Sequence, residues 1–419
     1  MGLQAYRAVL RIREVRRVLL LGLLVRVPMW AGAVVLTLHV VTHLGRSYGA
    51  AGFVEGASTV AASISSPWRG RRLDQVGLRK AVVPSLVVLT VCWSIAPFTG
   101  YWLLIVLASF AGLFIVPQFT IVRQSLLASV PEVHRKSALS IDSVAVEISY
   151  MMGPALGVLL ATYWATSWAL FTCEFTAVLG GALIWLVNPR LRSDDDTDAD
   201  ADAPSGVRSW LGPVVAAVLV MSAATVLVLV GSDVGTVAAL RHMHHQSWIG
   251  WELAVWGLGS AVGGLVYGAV RFELPVWVLL ALLGATAIPV ALATGPGLLA
   301  VLLFVTGLFC APTITASVSA IGQVVGERGR GEALGWHGSA MTAGAAAGAP
   351  LAGVAIDHVG WHGGFVLPGL VGLAIAAAGA LVYRGRSAPG SPASGSSAAG
   401  SAAAGSAAAG QPLPESIDA

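Results

Sequence analysis

The candidates among ionisable side chains inside long apolar stretches of this sequence are Arg26, Glu55, Asp142, Glu147, Glu174 and Glu252. A charge in an apolar span is costly, so it lines a cavity or meets a partner. A desolvated carboxylate can also take up and release a proton near neutral pH. Arg26 and Glu147 fall at matching depths in their stretches, about 12–14 Å at 1.5 Å per residue. That predicts an Arg26–Glu147 pair, either a permanent strut or a proton-coupling device. Glu147 lies about 140° around a helix from Asp142. Asp142, Ser149 and Gly153 therefore share a packing face, and Glu147, Tyr150 and Pro154 a cavity face. Glu55 and Glu174 divide evenly between structural and functional readings, and Glu252, near the end of its stretch, reads as a structural ion-pair or interfacial residue. The cluster Arg241-His-Met-His-His245 reads as a solvated basic turn rather than a soft-metal site. The sequence has no HExxH or phosphate-binding glycine loop. No cofactor, metal site or enzymatic activity is therefore expected.

The elements that must position these groups follow from composition. Of 419 residues, 56% are hydrophobic and 11% charged, with a mean hydropathy of +0.79. Soluble domains carry about 25% charged residues. This excludes a soluble enzyme, a disordered scaffold and a nucleic-acid binder. Apolar runs near 18–44, 47–68, 81–98, 101–127, 138–162, 165–187, 211–240, 247–270, 275–294, 297–322, 334–356 and 363–383 predict twelve membrane helices. With that topology 21 of 24 basic residues fall on the side of the termini. The positive-inside rule makes that side cytoplasmic, in a cell membrane of bacterial inner-membrane type. The expected organisation is a basic N-terminus (1–17), a six-helix bundle (18–187), an acidic linker (188–210), a second bundle (211–383) and a disordered tail (384–419). Cys92, Cys173 and Cys310 sit in apolar runs and read as small buried hydrophobes.

The chain repeats itself. Residues 112–153 align without a gap on 307–348 with twelve identities, among them Pro117/Pro312, Glu132/Glu327, Arg135/Arg330 and Gly153/Gly348. The shift of 195 residues equals six spans, so the halves are parallel repeats. Asp142 lands on His337 and Glu147 on Thr342. The frame is shared and the charge is not.

Between the second and third spans the chain reads Gly70-Arg-Arg-Leu-Asp74-Gln-Val-Gly77-Leu-Arg79-Lys80. This resembles the G-x-x-x-D-x-x-G-R-K signature of the major facilitator superfamily. The resemblance implies an all-α fold of two six-helix repeats and a cytoplasmic latch. Gly70 and Gly77 would permit the turn. Asp74 would cap the third helix and pair with a cation, Arg79 would sit at the headgroups, and Arg123 and Asp142 would join the latch. The counterpart near Gly268 and Arg271 lacks the Asp, which predicts a one-sided latch. Ser149, Gly153, Pro154 and Gly157 resemble the helix-five signature of the superfamily's drug:proton antiporters, with Ser149 in place of a glycine. The resemblance implies a monomeric secondary transporter in the lipid bilayer that exports small apolar or amphipathic molecules against protons, through a cavity lined by Trp30, Phe119 and Trp256. The alternatives are a proton-coupled importer of a small nutrient or, from another class, a membrane-embedded enzyme or sensor.

Overall fold

The computed structural model describes residues 2–192, 210–270 and 272–387, and among them the chain is helical throughout. Fourteen α-helices are described here: α1 (Gly2–Arg11), α2 (Arg13–Leu38), α3 (Tyr48–Ile95), α4 (Tyr101–Leu113), α5 (Gln118–Ser129), α6 (Glu132–Tyr163), α7 (Thr166–Val187), α8 (Pro213–His242), α9 (Ile249–Ala269), α10 (Val276–Ala287), α11 (Pro296–Gly307), α12 (Cys310–Val324), α13 (Glu327–Val359) and α14 (Gly363–Ser387). Among the described residues ten helical stretches are long and apolar enough to cross a membrane, with Val276–Leu292 a shorter apolar helix. The second and third predicted spans merge in α3, which breaks at Gly77 (φ 75°, ψ 169°). Two other spans are each built from a broken pair, α4 with α5 and α11 with α12.

The buried apolar residues form two main cores. One runs from Leu21 to Ile184, and the other, chiefly from α8 to α14, draws in Leu127 and Leu139. Outside them Ile64, Trp102, Tyr163 and Leu292 are more than two-thirds exposed. Such surfaces suit lipid tails and not water. A smaller third core gathers Val9, Val15, Val18, Val122, Leu126 and Ala138 at the arginine-rich end. The three cysteines are buried and free. The acidic segment 193–205, Arg208, Arg271 and the tail beyond 387 lie outside the described residues.

Candidate functional site

The deepest charges collect on α6. Arg26 is fully buried, and its Nη1 donates to Asp142 Oδ1 at 2.7 Å while its Nε donates to Gln118 Oε1 at 2.8 Å. Arg123 Nε lies 3.5 Å from Asp142 Oδ2. Both guanidiniums rest over the Phe119 ring, at 4.7 and 5.7 Å. Two cations thus share one carboxylate and one aromatic face. The predicted Arg26–Glu147 pair is not what the structure shows. Arg26 lies on α2, and α2 packs on the other face of α6: a Cβ at Gly153 would press on Trp30 and the Val27 carbonyl, and one at Gly157 on Ala31. Asp142 belongs to that face and takes the arginine. Ser149 back-bonds to the Ala145 carbonyl at 2.8 Å. The antiporter-like residues Ser149, Gly153, Pro154 and Gly157 therefore line or flank a close α2–α6 contact.

Glu147 points elsewhere. It is nine-tenths buried, and Ser260 of α9 donates to its Oε1 at 2.7 Å. Asp233 of α8, Tyr150 and Cys310 are near enough for their charges to interact with it. Tyr150 meets Trp30 edge-on at 5.0 Å. Among the described residues no cation pairs with Glu147 or Asp233. Asp233 is absent from the sequence candidates, although a lone Asp in the apolar run 211–240 meets the same criterion.

A second carboxylate pair lies within the first core. Glu174 of α7 packs its Oε1 on Gly32, and Glu55 of α3 interacts with it electrostatically. Glu252, in the first turn of α9, is fully buried with neither carboxylate oxygen bonded. Trp256 is 4% exposed and belongs to the second core rather than a cavity wall. Phe119 serves the arginines. Arg241, His242, His244 and His245 form an exposed turn, with His244 at φ 60°.

At the arginine-rich end the two cores are joined along two seams. In the first, α3 meets α13. Asp74 accepts from the backbone N–H of Gly331 at 3.0 Å and of Glu332 at 2.9 Å, and from the Gln124 amide at 2.9 Å. It thus meets the second turn of α13, and no arginine side chain among the described residues bonds its carboxylate, though the Arg192 guanidinium acts on it electrostatically. Arg192 donates to its main-chain carbonyl. Arg123 and Asp142 do not join this latch; the neighbouring Gln124 does. Arg71 pairs with Glu332 at 3.1 Å, Ser66 donates to the Gly335 carbonyl at 3.0 Å, and Ser339 to the Ser63 carbonyl at 2.6 Å. Gly77 makes the turn, as its positive φ requires, but Gly70 is needed for something else. A Cβ there would collide with the Gly331 carbonyl. Arg79 lies over Trp185 at 5.8 Å.

In the second seam α6 meets the end of α9. Lys136 Nζ donates to the carbonyls of Val270 (3.0 Å) and Phe272 (2.6 Å), and Ser137 to that of Gly268 (2.7 Å). Helix ends leave such carbonyls without intrahelical partners. The latch is therefore two-sided, with unlike chemistry on each side. Towards the opposite end of α3 and α13, a Cβ built at Gly52, Gly56 or Gly353 meets nothing within 4 Å.

No curated protein matches the chain. Solved structures of similar fold include the human organic anion transporter MFSD10 (TETRAN), with TM-score 0.67 and 16% identity over 87% of this chain and 98% of that one. A bacterial homologue of the iron transporter ferroportin in an outward-facing state has TM-score 0.68 and 14% identity, covering 90% of this chain and 99% of the other. The transporter FucP in the outward conformation gives 0.65 and 15% over 88% and 99%. The family model described as Major Facilitator Superfamily matches residues 18–243 and 221–414. With that match, the apolar helices and the fold in agreement, the chain belongs to the Major Facilitator Superfamily and is a multi-pass membrane protein.

Proposed function

We propose that the chain is a secondary active transporter working by alternating access, with two parallel six-helix repeats and both termini in the cytoplasm. In this reading it exports small apolar or amphipathic molecules in exchange for protons across a cell membrane. The observation that carries the reading is the Glu147–Ser260 hydrogen bond between the two cores. Glu147 is a nearly buried carboxylate with no cation paired to it among the described residues, at a contact that must part when the halves rock. Proton binding there changes the strength of an inter-half contact, and that is the link an exchanger needs. Asp233 extends the coupling group to the second half, with Glu55 and Glu174 as a reserve pair inside the first. Arg26 serves a structural role through Asp142. Trp30 and Tyr150 supply an aromatic wall suited to apolar substrates.

The two seams at the arginine-rich end and the free space towards the other end support an outward-open state. Two structural relatives, the ferroportin homologue and FucP, are in outward-facing states, in accord with it. The reading is tested by a compound-panel susceptibility screen in an efflux-deficient host, with and without a protonophore. Protection that vanishes with the proton gradient is expected. Protection that persists without it contradicts proton coupling, and increased accumulation of a compound indicates import.

A further inference from the structure

The first helix stands apart from the repeat. Shifted by 195 residues it falls on 197–206, in the acidic linker outside the described residues, where the two sequences share one identity, Ala8/Ala203. Ile12, extended at φ −69° and ψ 116°, breaks the chain between α1 and α2 and lets α1 turn away from the first span. The apolar side of α1 is fixed to the first half. Val9 is fully buried among Val15, Val18, Val122, Leu126 and Ala138.

About one turn before Val9, Tyr6 crosses to the other half. Its hydroxyl donates to the Leu265 carbonyl of α9 and touches Ser140 of α6. Gly268 leaves the room for this: a Cβ there would meet both the Tyr6 hydroxyl and Ser140. Burial pushes the Tyr6 hydroxyl up to about 12, so it remains a donor at physiological pH. Next to this contact α1 presents Gln4, Ala5 and Ala8 to a cavity of about 660 Å³, which Lys136, Glu273 and Gln323 also line. The helix is thus anchored on one half, bonded to the other, and lies across the seam that must open. Arg7 and Arg11 stay exposed outside it.

We propose that α1 is a strap that holds the α6–α9 seam shut, with Tyr6 as its clasp, so that the N-terminal helix sets how readily the arginine-rich end opens. The proposal rests on the alternating-access reading. Its basis is direct: the Tyr6 hydroxyl donates to the moving half, while Val9 packs into the apolar cluster of the half to which the strap is tied. Opening the seam must release one of the two. The single hydroxyl bond is the weaker and the apolar anchor the stronger.

The test is a distance measurement by double electron–electron resonance on the full chain in nanodiscs. One spin-label pair at Val133 and Phe272 straddles the α6–α9 seam, and a second at Val76 and Val324 reports the other side; all four side chains are exposed. Tyr6→Phe removes the clasp and keeps the ring, and it should raise the open population about two- to tenfold, as for one hydrogen bond. Removal of residues 2–11 should raise it further. Asp74→Asn serves as the reference that loosens the other seam. Unchanged distances in both strap variants, with Asp74→Asn opening normally, overturn the strap while leaving alternating access intact. If no variant and no pH moves either distance, the strap falls together with the reading beneath it. Should the truncated chain not insert, Tyr6→Phe alone decides: an unchanged open population overturns the clasp.

Discussion

The two seams at the arginine-rich end are related by the internal repeat and closed by opposite chemistry. On the α3–α13 side the first half supplies an acceptor, Asp74, and the second half supplies backbone N–H groups at Gly331 and Glu332. The repeat partners of Gly331 and Glu332 are Lys136 and Ser137. On the α6–α9 side those two are donors, and the second half answers with the carbonyls of Val270, Phe272 and Gly268. Asp74 has Ala269 as its own repeat partner, so its side chain was not duplicated. In the bonds of Asp74, Lys136 and Ser137 the first half brings side chains and the second half answers with backbone groups, while Ser339 and Glu332 bring second-half side chains to Ser63 and Arg71. A pseudo-symmetric frame therefore needs no symmetric sequence to close, because backbone N–H and C=O groups can answer an acceptor in one seam and donors in the other.

The largest effect should come from breaking the α3–α13 seam sterically. Gly70→Val places a side chain against the Gly331 carbonyl, where even a Cβ collides. The arginine-rich end should then fail to close, and transport in vesicles should be abolished while the protein still inserts. Wild-type turnover in this variant would mean that the seam is not part of the cycle.

Asp74→Asn comes next. It turns one acceptor oxygen into a donor facing an N–H and removes the carboxylate charge. Bonds to a charged group contribute about 1.5–3 kcal/mol, so turnover should fall tenfold or more while substrate affinity changes little. Equal turnover in mutant and wild type, measured by initial-rate transport, would make the motif decorative here.

Smaller losses are expected on the other seam. Lys136→Met keeps a stem to lie on Tyr267, which the ammonium now approaches to 4.0 Å, and deletes two bonds to carbonyls. A several-fold drop in turnover should result, with a longer Val133–Phe272 distance. Ser137→Ala removes one neutral bond, about 0.5–1.5 kcal/mol, and should cost the least. If Ser137→Ala slowed transport more than Asp74→Asn, the ranking of the seams would be reversed.

Much of this was legible in the sequence, and the misses have physical causes. Hydropathy marks every span because lipid demands it, and the Gly77 turn follows from its place between two apolar runs. Gly70 could not be told apart from a turn glycine, because its function depends on the backbone of a helix some 260 residues away. The partner of Arg26 was within reach. Asp142, Ser149 and Gly153 share the packing face, and a residue of the packed helix meets the carboxylate on that face rather than the one pointing away. Equal depth alone favoured Glu147, and depth is weaker evidence than face. Asp233 satisfied the buried-charge criterion in plain view. Tyr6 precedes the first span, and nothing in its neighbourhood shows that the chain will double back onto α9.

The central claim is that Glu147 exchanges the proton that couples the halves. The direct measurement is proton flux, read by a pH-sensitive dye, in vesicles carrying Glu147→Gln, with a compound that the susceptibility panel identifies as transported. Glutamine keeps an oxygen for Ser260 and cannot ionise. Substrate exchange should persist in the variant while substrate-driven proton movement disappears. Proton movement at the wild-type ratio would contradict the account.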